Sequence, residues 1–265
     1  GNHLDDDGNG FVDDLIGWDF AFNDNDPADF DFSGLPIDHG THVAGIAAAE
    51  SDNGRGVAGV AQARLMILKA DDGEGLATSA IIAAMNYVAM MVERGIPVVV
   101  VNGSYGGDSF SQSEKNAMDA LADLGVLFTA AAGNDGENND LVDSYPANYQ
   151  SANVISVAAS NNRDALADFS NFGALSVDLA APGVSVYSTV TGNSYAYYSG
   201  TSMAAPHVTG VVALLHAANP GMSVADVRSA ILGSVDSVAG LAGKTATGGR
   251  LNAAAALSMI DNAAP

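Results

Sequence analysis

The chain predicts an α/β fold: one domain built on a mostly parallel sheet covered by helices. Two observations carry that reading. Segments with helical spacing of apolar residues alternate with short apolar, β-branched runs. At 265 residues and 48% apolar content the chain can bury a sizeable core, and no internal repeat, long linker or second domain interrupts it. Residues 1–38, rich in Asp, Asn and Gly, read as an ordered loop anchored by Trp18, Phe20 and Phe22. Residues 41–49 are small and apolar, as a closely packed helix requires, and Asp52-Asn53-Gly54-Arg55-Gly56 follows as a turn. Residues 64–70 read as strand and 79–94 as helix; Pro97 then marks the change into the buried-strand run 98–101. The switch repeats as helix 111–124 and strand 126–132, with further strands at 154–159 and 177–180. Helices resume at 202–218, 224–232 and 252–260, the second opened by Ser223 and Asp226 at capping-box spacing.

Charge narrows the function classes. Thirty-one acidic against nine basic residues give a formal charge of −22, which disfavours a nucleic-acid or anionic-membrane partner and favours cation binding. The absence of cysteine excludes disulfides, a thiol nucleophile and cysteine-metal clusters. It fits a secreted protein that needs no disulfides and fits the cytosol equally. No run of 18 apolar residues suggests a membrane span.

The acidic opening carries a metal pattern. In Asp5-Asp6-Asp7-Gly8-Asn9-Gly10-Phe11-Val12-Asp13-Asp14, side-chain oxygens recur at Asp5, Asp7, Asn9 and Asp13, Gly10 permits a sharp turn, and the Phe11 carbonyl completes the alternation. That is the ligand logic of a structural calcium (Ca2+) loop, set against a plain solvated acidic turn. It departs from the full EF-hand pattern, because Ile16 stands where a bidentate Glu would fall. Asp24, Asp26, Asp29 and Asp31 read as surface charge ahead of a second cation site.

Three segments carry the chemistry. Ser202 lies between the turn residue Gly200 and an apolar helical stretch, where free N–H groups of a first helical turn favour developing negative charge. A serine hydroxyl needs a base, and the upstream His39-Gly40-Thr41-His42 segment can supply one. Pro206 is expected in the unpaired first turn of the same helix. Asn134 follows small residues at a strand end, where its amide can donate to an oxyanion. His42 has metal-ligand spacing from His39, but no nearby Glu or Cys completes a zinc pattern, so it reads as packing. His207 reads as a structural residue on its helix.

These segments resemble the subtilisin-like serine peptidases, the subtilases. His39-Gly40-Thr41-His42-Val43-Ala44-Gly45, Ala132-Gly133-Asn134 and Gly200-Thr201-Ser202-Met203-Ala204-Ala205-Pro206 are similar, in order and separation, to the family's histidine, oxyanion and nucleophile segments. Ser104-Tyr105-Gly106-Gly107 and residues 168–173 and 181–183 extend the likeness along the chain. The resemblance implies a three-layer fold, a secreted endopeptidase, a polypeptide substrate, a pro-region inhibitor as a further partner, and a monomer. It implies His39, Asn134 and Ser202 as catalytic residues. It also implies Ser104, Tyr105 and Gly106 as an edge for substrate backbone, with Ala131, Ala132 and Gly133 lining the pocket before the scissile bond. Tyr105 is expected to cover an apolar pocket that prefers apolar or aromatic side chains.

One departure qualifies this. The family's catalytic aspartate ends an early strand before the acidic insertion, and residue 1 already falls inside that insertion. The expectation is therefore a subtilase domain over 1–265 that is N-terminally incomplete, lacking its earliest strand and its catalytic Asp, with 1–38 as a calcium loop region. Asp38 adjoins His39 but neighbours in sequence seldom face each other. The competing readings are a non-catalytic, peptide-binding subtilase fragment or pseudoenzyme, and a lipase or esterase. The last would prefer Gly-x-Ser-x-Gly and a histidine after the serine.

Overall fold

The computed structural model describes residues 1–261; the final four residues of the expected domain lie outside that range. β1 (Gly17–Asp19) and β2 (Ile67–Lys69) form a parallel pair of their own. β3 (Val100–Gly103), β4 (Leu127–Ala131), β5 (Val154–Ser160) and β6 (Leu179–Pro182) run parallel, side by side. β7 (Val186–Val190) and β8 (Ser194–Tyr198) make a separate antiparallel hairpin. β9 (Asp236–Ser237) and β10 (Gly249–Arg250) finish the central sheet, whose order is β3-β4-β5-β6-β10-β9. Only β9 runs antiparallel in it, so the sheet is mostly parallel as expected.

Helices cover both faces because β4 and β5 are buried along their whole length and have no wet side. α1 (His39–Ala48) and α2 (Thr78–Glu93) precede α3 (Gln112–Asp123), which Ser111 caps by accepting from Glu114 N. α4 (Thr201–Ala218), α5 (Val224–Leu232) and α6 (Ala253–Asp261) follow. Val208, Val211, Val212 and Leu215 of α4 meet Ile155, Val157 and Leu179 and the apolar faces of α5 and α6 in one cluster. Met85 and Val88 of α2 join Met118 and Leu121 of α3 and Phe128 in another. The expected capping box of α5 is present, Ser223 and Asp226 each satisfying the other's backbone N–H.

Four expectations need correction. The opening loop contains β1, whose central Trp18 is buried beside Phe11; Phe11 also meets Tyr87 of α2 edge to face, with centroids 4.8 Å apart. Phe22 is 42% exposed and serves as a platform for the Lys69 ammonium rather than as an anchor. β3 and β6 each start two residues later than the apolar runs suggest, because Val98 N bonds to Ile96 O and Val177 N to Gly173 O in local turns. Pro206 is the sixth residue of α4, beyond the first turn. Its missing N–H frees the Ser202 carbonyl, and Ser104 Oγ fills the gap at 2.8 Å.

The sheet is also broken in one place. β2 pairs with β1 alone and β3 with β4 alone, so each keeps an unpaired edge. Both strands are only half buried along most of their length, although Met66, Leu68, Val98 and Val101 pack into the same cluster.

Candidate active site

His39 opens α1, Asn134 follows β4, and Ser202 is the second residue of α4. The fold brings the three to one cleft of about 350 Å³, lined also by Tyr197, Tyr198, Ser199, Gly200 and Met203. Gly200 precedes α4 in an extended conformation, with φ 164° and ψ 161°, and Met203 N returns to Gly200 O. This delivers Ser202 into the first turn of α4, where Thr201 N and Met203 N are engaged by Asn134 Oδ1 and Gly200 O.

Thr201 ties the loop after β4 to this helix start. Its N–H and its hydroxyl both donate to Asn134 Oδ1, at 2.8 and 3.0 Å, and Gly133 N donates to Thr201 Oγ1 at 3.2 Å. With Oδ1 held, the Asn134 amide nitrogen is left as the donor available to the cleft. Gly133 has φ 114°, and a Cβ there would stand 2.3 Å from Asn171 Nδ2. Buried Asn171 accepts from Asp135 N and Glu137 N and so shapes the whole turn. Thr201 and Asn171 were not singled out from sequence; short polar side chains inside glycine-flanked segments were their only signal.

Ser202 Oγ donates to Ser104 O at 3.3 Å, and His39 lies across the same cleft without a hydrogen bond to it. Burial pushes the His39 imidazole below the usual histidine range, aided by His42, while the charges of Asp29 and Asp71 pull it back up. Asp29 accepts from Thr41 N and Thr41 Oγ1 at 2.7 and 2.8 Å, so it secures the first turn of α1. Asp38, at φ 65°, turns its carboxylate to Thr191 instead of His39. Among the described residues no carboxylate is hydrogen-bonded to His39.

His42 is fully buried, stacks on Tyr198 at 4.4 Å and shares a hydrogen bond with Ala196 O through Nε2. It packs α1 against the β7–β8 hairpin. His207 similarly holds Met203 O through Nδ1.

The implied substrate residues divide. Ser104 touches Ser202, and Gly106 is exposed beside it. The Tyr105 hydroxyl donates to Glu114 Oε1, which fixes the ring against α3. Ala131 and Ala132 are buried and lie outside the lining of the cleft.

In the acidic loop, Asp5 Oδ1 and Asp7 Oδ1 both accept from Asn9 N, and Asn9 Oδ1 accepts from Phe11 N. Asp13 turns its carboxylate to Asn2 N and His3 N. Among the described residues no group of three or more His, Cys, Asp or Glu surrounds a common point suited to a metal ion.

Residues 2–253 match the subtilase family, peptidase S8. The chain belongs to this family. This subtilase is 43% identical over 228 residues to a thermophilic serine proteinase of Bacillus sp. (strain AK1), covering 85% of its own length and 52% of the relative's. It is 38% identical to thermitase of Thermoactinomyces vulgaris, covering 89% of itself and 78% of that protein. A solved protease structure from Pseudoalteromonas arctica PAMC 21717 superposes with a TM-score of 0.78 at 32% identity, over 92% of this chain and 83% of that one. The subtilase thus spans about half the length of the Bacillus relative. Among its described residues no helix is long and apolar enough to cross a membrane.

Proposed function

We propose that the protein is a secreted serine endopeptidase that hydrolyses peptide bonds through an acyl-enzyme. The observation that carries the reading is the meeting of Ser202, His39 and Asn134 in one cleft at the start of α4. Ser202 Oγ attacks the peptide carbonyl carbon while His39 takes its proton. His39 then gives that proton to the departing amine, and water, deprotonated by the same imidazole, hydrolyses the ester. The Asn134 amide and the Ser202 N–H at the α4 start face the negative charge that develops on the carbonyl oxygen.

His39 has no hydrogen-bonded carboxylate among the described residues, and loss of such a partner lowers turnover by roughly 10⁴-fold in another serine protease. The reading for residues 1–265 is therefore weak acyl transfer. The unpaired edges of β2 and β3 would accept one further strand between them, and in this proposal a strand seated there carries that carboxylate. The free edges and the half-exposed apolar residues on both strands support it.

The ion of the acidic loop is calcium in this proposal. Asp5, Asp7, Asn9 and the Phe11 carbonyl offer the hard oxygen donors it prefers, and Asp13 joins them if it leaves the N–H groups of Asn2 and His3.

Covalent labelling with a fluorophosphonate tests the assignment. Slow modification at Ser202 is expected, absent in Ser202→Ala and His39→Ala. It should accelerate when an apolar segment ending in Asp-Thr-Gly is supplied as a peptide. A folded chain that is not labelled even with that peptide would overturn the peptidase reading and favour a peptide-binding fragment.

A further inference from the structure

We infer that the exposed tyrosine face of the β7–β8 hairpin is a subsite for the leaving-group side of the substrate, selecting arginine there. The inference rests on the peptidase reading, which fixes the direction of the substrate.

The hairpin register places Tyr187 opposite Tyr197 and Thr189 opposite Tyr195, so the three tyrosines share one face by two-residue alternation. Their rings are contiguous: centroids lie 4.6 Å apart for Tyr187 and Tyr197, and 5.7 Å apart for Tyr187 and Tyr195. Tyr197 is 69% exposed and Tyr187 43% exposed, which is costly for large rings without a partner. The face is also held in place. The Tyr195 hydroxyl rests against Gly56, where an added Cβ would stand 1.9 Å from it. Residues of the other parity fasten the hairpin to α1, with Ser188 Oγ donating to His42 O at 2.8 Å and Tyr198 stacked on His42.

Chemistry gives the direction. His39 returns the proton to the departing amine, so the leaving half of the substrate lies on its flank of Ser202. Tyr197 lines the cleft together with His39, and Tyr187 and Tyr195, outside that lining, adjoin Tyr197 ring to ring. Tyr195 and Tyr197 stand two residues apart on β8, so the face spans about two residues of extended chain at roughly 3.3 Å each.

Charge chooses the occupant. The faces of tyrosine rings attract cations, a planar guanidinium stacks on them best, and the protein carries a formal charge of −22. An arginine two or three residues after the scissile bond therefore satisfies both the rings and the field.

Binding to the Ser202→Ala variant tests this without turnover, so its failure is separable from failure of Ser202 labelling. The probes are fluorescent peptides of sequence Ala-Ala-Phe-Ala-Arg-Arg and Ala-Ala-Phe-Ala-Gln-Gln. The arginine peptide should bind about fivefold tighter, corresponding to one exposed cation–π contact. That preference should persist in the Tyr187→Phe/Tyr197→Phe double variant and vanish in Tyr187→Ser/Tyr197→Ser. Equal affinities in the parent variant would overturn the inference. So would a preference that survives the serine variant, which would assign it to overall charge, or tyrosine-dependent binding of cellohexaose in place of either peptide.

Discussion

Ser104 and Ser202 exchange two hydrogen bonds, each hydroxyl donating to the other's carbonyl, at 2.8 Å from Ser104 Oγ and 3.3 Å from Ser202 Oγ. The exchange follows from Pro206, which supplies no N–H to the Ser202 carbonyl four residues earlier. Helix α4 is thereby clamped to the end of β3 at the residue proposed to carry the nucleophilic hydroxyl. Ser104→Ala leaves that carbonyl unpartnered and should cost about 1 kcal/mol of folding stability. It should also slow Ser202 labelling, whereas Ser104→Thr retains both. Unchanged denaturation midpoint and labelling rate in Ser104→Ala would show that the clamp does not matter.

Acylation by the proposed route requires neutral His39, whose titration is shifted downward by burial, an effect opposed by the charges of Asp29 and Asp71. Labelling should therefore rise through a midpoint below the ordinary histidine value of about 6.5. Asp29→Asn removes one opposing charge and should move the midpoint lower still, while the amide oxygen can keep accepting from Thr41.

Stability has its own pH window. Burial also lowers His42, His207 and His216, so in all four cases the unfolded chain takes up its proton first. Their contribution is full above about pH 6.5 and is lost as the pH falls through the folded values. Asp178, raised by burial, works in the opposite sense at lower pH. Denaturant titrations at pH 8 and pH 5.5 should show the chain less stable at pH 5.5.

Lys69 and Asp19 join β2 to β1 through a 2.6 Å ion pair, with side-chain exposures of only 8% and 1%. Lys69→Met strands the Asp19 charge and should cost about 3–5 kcal/mol. Adding Asp19→Asn removes the charge and keeps an acceptor for Ala21 N and Phe22 N, so most of the loss should be recovered. Equal midpoints for the single and double variants would mean that the pair is not the source of the loss.

Legibility in the sequence followed element length. α2 announces itself within a residue or two by apolar spacing alone, and α3 and the shorter α5 do so because a serine cap agrees with the spacing. β9 and β10, at two residues each, are too short for any period and exist because β6 offers them an edge. The β7–β8 hairpin, with its mixed tyrosines and serines, lacks a simple apolar–polar alternation because Ser188, Thr189 and Tyr198 grip α1 while Tyr187 and Tyr197 face outward. His39, Asn134 and Ser202, which share one cleft, were singled out because their three segments resemble subtilase motifs in order and separation. The tether of Thr201 to Asn134 and the turn held by Asn171 are long-range, and local pattern carries no signal of them.

The acidic loop gives the sharpest test of a metal. Asp5 accepts from Asn9 N and Gly10 N, and those backbone bonds hold its carboxyl below the ordinary range, so it is ready as an anionic donor at neutral pH. Asp7 is paired with Arg94 at 3.3 Å, and the loop meets α2 through Phe11 and Tyr87, so order in the loop is transmitted to the second core cluster's helix. Calcium at 100 times its Kd would add about 2.7 kcal/mol, which for a domain of this size is a rise of roughly 5–10 °C in Tm. Calorimetry in calcium and in excess chelator should show that difference. Asp7→Asn should shrink it by removing one charged donor. Arg94→Met, which frees Asp7 from its cationic partner, should leave the calcium-dependent difference intact or enlarge it. If the unmodified chain melts identically with calcium and with chelator, the loop is a solvated acidic turn, and the self-contained bonds of Asp5 and Asp13 to backbone N–H groups suffice to hold it.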